Sequence, residues 1–118
     1  MFAVEAHDLV KEFGSLRALH KVSFSVREGE TFGFLGPNGA GKTTTIRILT
    51  GITRATSGTA TIFSYDIKDE TLRARQSMGI VPETSNVYDD LTAWQNMIFT
   101  AELYHVGRAE REATTKEL

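Results

Sequence analysis

Cysteine is absent from this 118-residue sequence, which excludes disulfides and every metal site built on thiolates. A surplus of positive charge is absent too. Thirteen basic side chains stand against fifteen acidic ones, for a net charge of −2, and a nucleic-acid partner usually requires a clustered excess of Lys and Arg. Long hydrophobic runs are missing. The longest uncharged stretches, around Thr31–Gly41 and Leu91–Ala101, are too short to span a bilayer and too rich in Gly, Thr, Gln and Asn. The N-terminus has no basic head or apolar core, and Glu5 already interrupts it, so no signal peptide is read there. There is no internal repeat, low-complexity tract or linker. What remains is 41% hydrophobic and 24% charged, the composition of an ordinary globular protein, expected in the cytoplasm. Its length suits one small domain or a piece of a larger one.

Hydrophobic periodicity places the elements. Phe2–Phe13 alternates moderately through Val4 and Ala6, then Leu9 and Val10, and reads as a strand ending at Gly14. Ala18–Val26 alternates more clearly, with a turn at Glu28-Gly29-Glu30, so the two form an expected antiparallel pair. Thr31–Leu35 is apolar without a polar face, as in a strand buried on both sides of a parallel sheet. Thr43–Thr50 reads as a helix stopping at Gly51. Gly58–Phe63 and Ser77–Val81 read as further short strands, the latter just before Pro82. Thr92-Ala93-Trp94-Gln95 fits a capping box. Trp94, Met97, Ile98, Ala101 and Tyr104 follow at helical spacing, with Gly107 as the stop, and Arg108–Leu118 has helix-forming composition.

The chemistry is concentrated in Gly36-Pro37-Asn38-Gly39-Ala40-Gly41-Lys42-Thr43, which satisfies G-x-x-x-x-G-K-[ST] between an expected strand and an expected helix. Phosphate oxygens need several backbone N–H groups converging on them, and the three glycines admit conformations closed to other residues. The helix that follows aims its N-terminal amides and positive dipole end at the same anion. Lys42 adds a full charge near the outer phosphates. The Thr43 hydroxyl is a hard oxygen suited to Mg²⁺. A nucleoside triphosphate, ATP with Mg²⁺, is the expected ligand. His7, His20 and His105 have no partners at metal-ligand spacing and are read as surface or strand residues. Asp89-Asp90 reads as a turn, and the Trp94–Tyr104 stripe as core or a subdomain interface.

The run from Gly36 through Thr44 and Thr45 closely resembles the Walker A motif of ABC transporter ATPase domains, and its setting is similar. Lys11-Glu12-Phe13-Gly14, Ala18-Leu19-His20-Lys21-Val22-Ser23-Phe24, Ser57-Gly58-Thr59 and Phe63-Ser64-Tyr65-Asp66 follow the family's order, with Ser64 where a Gly is commoner. Met78-Gly79-Ile80-Val81-Pro82-Glu83, then Tyr88 and Leu91-Thr92, resembles the Q-loop and the entry to the helical subdomain, in an exporter-like form with Glu83 where Gln is commonest. The resemblance implies an α/β fold, part of a P-loop NTPase core with an N-terminal antiparallel β part. Residues 1–30 would form that part, 31–82 the P-loop strand, helix and following strands, and 83–118 the Q-loop and the start of the helical subdomain. It implies that Phe13 stacks on the adenine with Ala18 beside it, that Gly36 to Thr44 bind the phosphates, and that Thr43 and Glu83 hold the metal.

The same family hydrolyses ATP with a signature motif, a Walker B strand and a switch histidine, none of which occurs in these residues. The expectation is the front part of an ATPase domain that alone binds ATP without turning it over. In the full protein it would pair head to tail with a second ATP-binding subunit and dock on a transmembrane permease at the inner face of the membrane. A non-hydrolysing binding fragment stays open. So do other P-loop enzymes, though small-molecule kinases usually start at their P-loop strand and GTPases carry an Asn-Lys-x-Asp guanine reader not found here.

Overall fold

In a computed structural model that describes residues 1–37, 39–84 and 87–118, the chain divides into two compact units, Met1–Gly79 and Ile80–Leu118. The first is built on β1 (Phe2–Phe13) and β2 (Leu16–Arg27), an antiparallel hairpin closed at Gly14-Ser15. The uneven alternation of β1 has a physical cause. Asp8 has φ 48° and the register shifts between Ala6 and Leu9, so a bulge adds one residue and returns the next apolar side chain to the core face. Lys21, at φ 52°, does the same for Leu19 and Val22 in β2. The Ser23 hydroxyl holds the first bulge, accepting from the Asp8 N–H at 2.8 Å and donating to its carboxylate at 3.2 Å.

Strand β3 (Ser57–Ile62) pairs with the other edge of β1, and β4 (Tyr65–Asp66) with β3, giving one antiparallel sheet in the order β2-β1-β3-β4. The two-residue loop between β3 and β4, Phe63-Ser64, has positive φ at both positions (46° and 69°). That is the demand of a type I′ turn, and it explains why a glycine suits position 64 better than Ser. Helix α1 (Lys42–Leu49) packs on β2 and β3, and α2 (Thr71–Gln76) packs against β4. The core joins Ala6, Leu9, Leu19, Ala60 and Ile62 of the sheet to Ile48 and Leu49 of α1 and Ala74 of α2. Each large side chain buried there contributes roughly 1.5–3 kcal/mol, which is what keeps an eight-residue helix formed.

Two expected strands are not formed. Residues 31–35 join no ladder, and Leu35 is 95% exposed. A strand exists through lateral hydrogen bonds, and among the described residues this segment is paired with none in a ladder. Its aromatic side chains pack locally instead, Phe32 and Phe34 lying 5.4 and 4.9 Å from the Phe24 ring. The parallel sheet expected around Thr31–Leu35 is therefore absent among the described residues, whose one sheet is antiparallel. Ser77–Val81 likewise forms no strand: Ser77 caps α2, and Val81 is exposed.

The second unit carries α3 (Ala93–Leu103) and α4 (Arg108–Glu117), packed on each other. The capping box is complete: Gln95 N donates to the Thr92 hydroxyl at 3.1 Å, and Thr92 N to the Gln95 side chain at 2.9 Å. Asn96, which carried no periodic signal, ties the preceding turn to α3. Its side chain accepts from Tyr88 N and donates to the carbonyls of Tyr88, Leu91 and Thr92. Helix α3 ends earlier than expected. His105 takes the left-handed conformation (φ 58°) that reverses the chain, while Gly107 is the N-cap of α4. Of the Trp94–Tyr104 stripe, Met97, Ile98 and Ala101 are half-buried, and Trp94 and Tyr104 stay exposed.

The β1 bulge makes a sharp demand on β3. A Cβ at Gly58, whose φ is +87°, would come within 2.6 Å of the Asp8 carbonyl carbon and 2.7 Å of the His7 oxygen. Gly58→Ala should therefore lower the unfolding free energy by roughly 2–3 kcal/mol. Ser64→Gly, by relieving the left-handed strain at the β3–β4 turn, should raise it by about 0.5–1 kcal/mol. Urea unfolding of both variants beside the parent checks the pair, and the two midpoints should move in opposite directions.

Candidate functional site

Helix α1 begins where the glycine-rich loop ends, and its first turn is bare. Gly41 is the N-cap, no side chain caps the helix, and no acidic residue lies in its first turn. Its exposed amides and positive dipole end are thus not neutralised by the chain itself. Gly36, Gly39 and Gly41 all have positive φ, at 154°, 86° and 91°. Between them, Ala40 N donates to the Pro37 carbonyl at 3.2 Å, and the Lys42 ammonium donates to the Gly36 carbonyl, tying the two ends of the loop together. Asn38 lies outside the described residues.

Gly41 also fixes where the loop sits. A Cβ there would lie 2.5 Å from Leu19 Cδ2 and 3.0 Å from the Ala18 carbonyl oxygen. Leu19 is a core residue at 1% exposure, so the loop rests directly on β2 at the only separation that a residue without a side chain permits.

The result is an open depression of about 430 Å³ lined by Phe13, Leu16, Arg17, Ala18, Gly39, Gly41, Lys42, Thr43 and Thr44. Seven of the residues expected from the sequence meet there: Phe13 and Ala18 from the β1–β2 hairpin, and Gly39, Gly41, Lys42, Thr43 and Thr44 from the loop and helix. Gly36, Pro37 and Ala40 lie in the same loop but are not among the lining residues. The Phe13 ring is half exposed, at 51%, so it is not a core residue ending a strand.

One hydroxyl of the depression has the chemistry of a hard-cation ligand. The Thr43 hydroxyl is exposed and has no hydrogen-bond partner among the described residues, whereas the buried Thr45 hydroxyl two positions on is committed to the Gly41 carbonyl at 2.8 Å. Glu83 belongs to the second unit, in an exposed bend after Pro82, and is not among the lining residues. No group of three or more His, Asp or Glu residues that could hold a metal occurs among the described residues, and no described helix is long and apolar enough to cross a membrane.

Three contributors were not anticipated. Leu16 and Arg17 line the depression from the start of β2, and Arg17 pairs with Glu12 at 3.2 Å. Lys11 holds its ammonium 4.9 Å from the centre of the Phe13 ring. The signal for Lys11 lay in strand geometry, since residues two apart share a face and Phe13 is two residues further along β1.

Comparison with known proteins agrees with this geometry. A family model described as ABC transporter matches residues 19–118. The probable multidrug ABC transporter ATP-binding protein YbhF of Escherichia coli is 40% identical over 96% of this chain and 20% of its own length. The linearmycin resistance ATP-binding protein LnrL of Bacillus subtilis is 38% identical over 98% of this chain and 37% of its own. The chain therefore spans well under half the length of these relatives. Among solved structures, an ATP-binding subunit of an ABC transporter superposes with a TM-score of 0.82 at 32% identity, over 94% of this chain and 46% of that one. A dimeric, post-hydrolysis ATP-binding cassette, MJ0796, bound to ADP and Pi, superposes with a TM-score of 0.77 at 26% identity, over 97% of this chain and 54% of that one. The glycine loop seated on the β hairpin, the bare helix start behind it and the matched family model together mean that this chain belongs to the ABC transporter family, as part of its ATP-binding, P-loop NTPase domain.

Proposed function

We propose that these residues are the nucleotide-binding face of the ATPase subunit of a membrane transporter, and that they hold ATP with Mg²⁺ for a protein that couples ATP binding and hydrolysis to transport. The observation that carries this reading is the uncapped start of α1, with Lys42 beside it, opening into a depression walled by Phe13 and Ala18. The triphosphate lies against the backbone N–H groups of the loop and of the first turn, where a full negative charge meets the helix dipole and the Lys42 ammonium. Gly36, Pro37, Gly39, Ala40 and Gly41 supply the loop backbone, and Thr44 continues the cradle into the helix. The adenine stacks on Phe13 with Ala18 at its edge, a contact worth roughly 1–3 kcal/mol. The Thr43 hydroxyl is the oxygen of this unit that would hold Mg²⁺, and the ion would supply charge neutralisation on the outer phosphates.

Among the described residues, those lining the depression include no Asp, Glu or His, so none of them offers a side-chain general base for a water. That favours nucleotide binding without turnover for these 118 residues by themselves, hydrolysis being a property of the longer protein. The remaining parts of the reading are a second ATP-binding subunit, arranged head to tail, and a permease that holds the pair at the inner face of the membrane. The dimeric state of one structural neighbour supports the first. Relatives named for multidrug ABC transport and linearmycin resistance support transport, and one named for Nod factor export supports the outward direction.

Titration of a fluorescent ATP analogue, with and without Mg²⁺, tests the site. Removing the charge-assisted contact in Lys42→Ala should weaken binding about tenfold or more. Thr43→Ala should weaken it only when Mg²⁺ is present. A phosphate-release assay on the same chain should show no turnover. Equal affinity in the parent and in Lys42→Ala would overturn the assignment.

A further inference from the structure

The Phe13 ring carries a cation on it that the nucleotide reading does not use. Lys11 Nζ lies 4.9 Å from the ring centroid and donates a hydrogen bond to the Arg54 carbonyl at 2.7 Å. Lys11 is not among the residues lining the depression, whereas Phe13 is. One ammonium thus bridges the aromatic wall of the site and the loop that follows α1. That loop is itself firmly held. Gly51 N donates to the Ile48 carbonyl at 3.0 Å and Ile52 N to the Arg47 carbonyl at 2.9 Å, the paired bonds of a Schellman motif at the C-terminus of α1. Arg75 donates to the carbonyls of Thr50 and Gly51 at 3.1 and 2.7 Å. Thr56 then joins the loop to the end of β1, its N–H donating to the Val10 carbonyl at 2.8 Å and its hydroxyl accepting from Glu12 N at 2.9 Å.

We infer that Lys11 is a positioning residue for base recognition: anchored on the Arg54 carbonyl, its ammonium lies over the Phe13 ring and holds the ring plane ready for a stacked purine. A half-exposed phenyl ring otherwise turns freely about two side-chain torsions, and ordering it on binding would cost affinity. The cation over the ring removes part of that freedom in advance. Because the anchor is a backbone carbonyl of the loop leaving α1, the helix that meets the phosphates at its start also sets the base platform at its end. This inference rests on the proposal that ATP binds at the glycine loop with its base on Phe13.

The test separates base from phosphate. Binding of ATP and of inorganic triphosphate is measured by calorimetry for the parent, Lys11→Met, Lys11→Arg, Phe13→Ala and the double variant Lys11→Met/Phe13→Ala. Lys11→Met should weaken ATP about three- to tenfold, the cost of re-ordering one ring, and leave triphosphate unchanged. Lys11→Arg, which keeps a cation and a donor, should restore most of the loss. Adding Lys11→Met to Phe13→Ala should weaken ATP no further. Equal losses for ATP and triphosphate in Lys11→Met, an undiminished loss in the Phe13→Ala background, or no loss at all would each overturn the positioning role. If Phe13→Ala binds ATP as the parent does while Lys42→Ala does not, the nucleotide site stands and the Lys11 role falls. If Lys42→Ala also binds as the parent does, both fall.

Discussion

The close seating of Gly41 on Leu19 is the contact on which the rest of the site depends. A P-loop is a string of backbone amides with little side-chain packing of its own, so something outside it must fix its shape. Here that support is β2, whose buried Leu19 and Ala18 carbonyl approach Gly41 too closely for any Cβ. The same residue, in a left-handed conformation, turns the chain into α1 and serves as its bare N-cap. One position therefore joins the hydrophobic core, the loop geometry and the electrostatics of the anion site. Ile48 and Leu49 complete the arrangement by burying the far side of α1 in the cluster to which Leu19 belongs.

The antiparallel hairpin serves as more than a lid on this core. Its tip supplies Phe13, Leu16, Arg17 and Ala18 to the depression, and the bulges at Asp8 and Lys21 set which side chains reach the core behind it. Without the extra residue of the Asp8 bulge, Leu9 would point to the opposite face and Phe13 with it, because the side-chain period of a strand is two. Gly58 in β3 accommodates that bulge from the other edge of β1. Features far from the phosphate loop thus decide where the aromatic wall of the site stands.

The elements legible in the sequence were those defined by local chemistry: the glycine loop, the stop at Gly51, the capping box from Thr92 to Gln95 and the paired strands Phe2–Phe13 and Ala18–Val26. Each depends on residues close in sequence, and each is formed. Thr31–Leu35 and Ser77–Val81 were misread because apolar runs report a capacity for strand formation, while a strand requires a neighbour. For Phe32 and Phe34, ring contacts with Phe24, stacked for the first and edge-on for the second, took the place of a ladder. His105 overrode Gly107 as the end of α3 because a single left-handed residue placed two positions earlier suffices. Lys11, Arg17 and Asn96 escaped notice for a common reason. A charged or amide side chain looks solvated in a sequence, and its role follows from partners such as Arg54, Glu12 and Tyr88 that tertiary or turn geometry brings to it.

If packing of Gly41 against β2 holds the loop in its binding shape, fold stability and nucleotide affinity depend on the same contact. Urea unfolding of the parent chain and of Gly41→Ala, each with and without saturating Mg²⁺ and ATP, measures both at once. Ligand that binds only the folded state stabilises it by RT ln(1 + L/Kd), where L is its free concentration, and so raises the midpoint. The expected result is a midpoint that rises with nucleotide in the parent, and in Gly41→Ala a lower midpoint that nucleotide does not raise. A Gly41→Ala protein that unfolds at the parent's midpoint and gains the same increment from nucleotide would contradict the account.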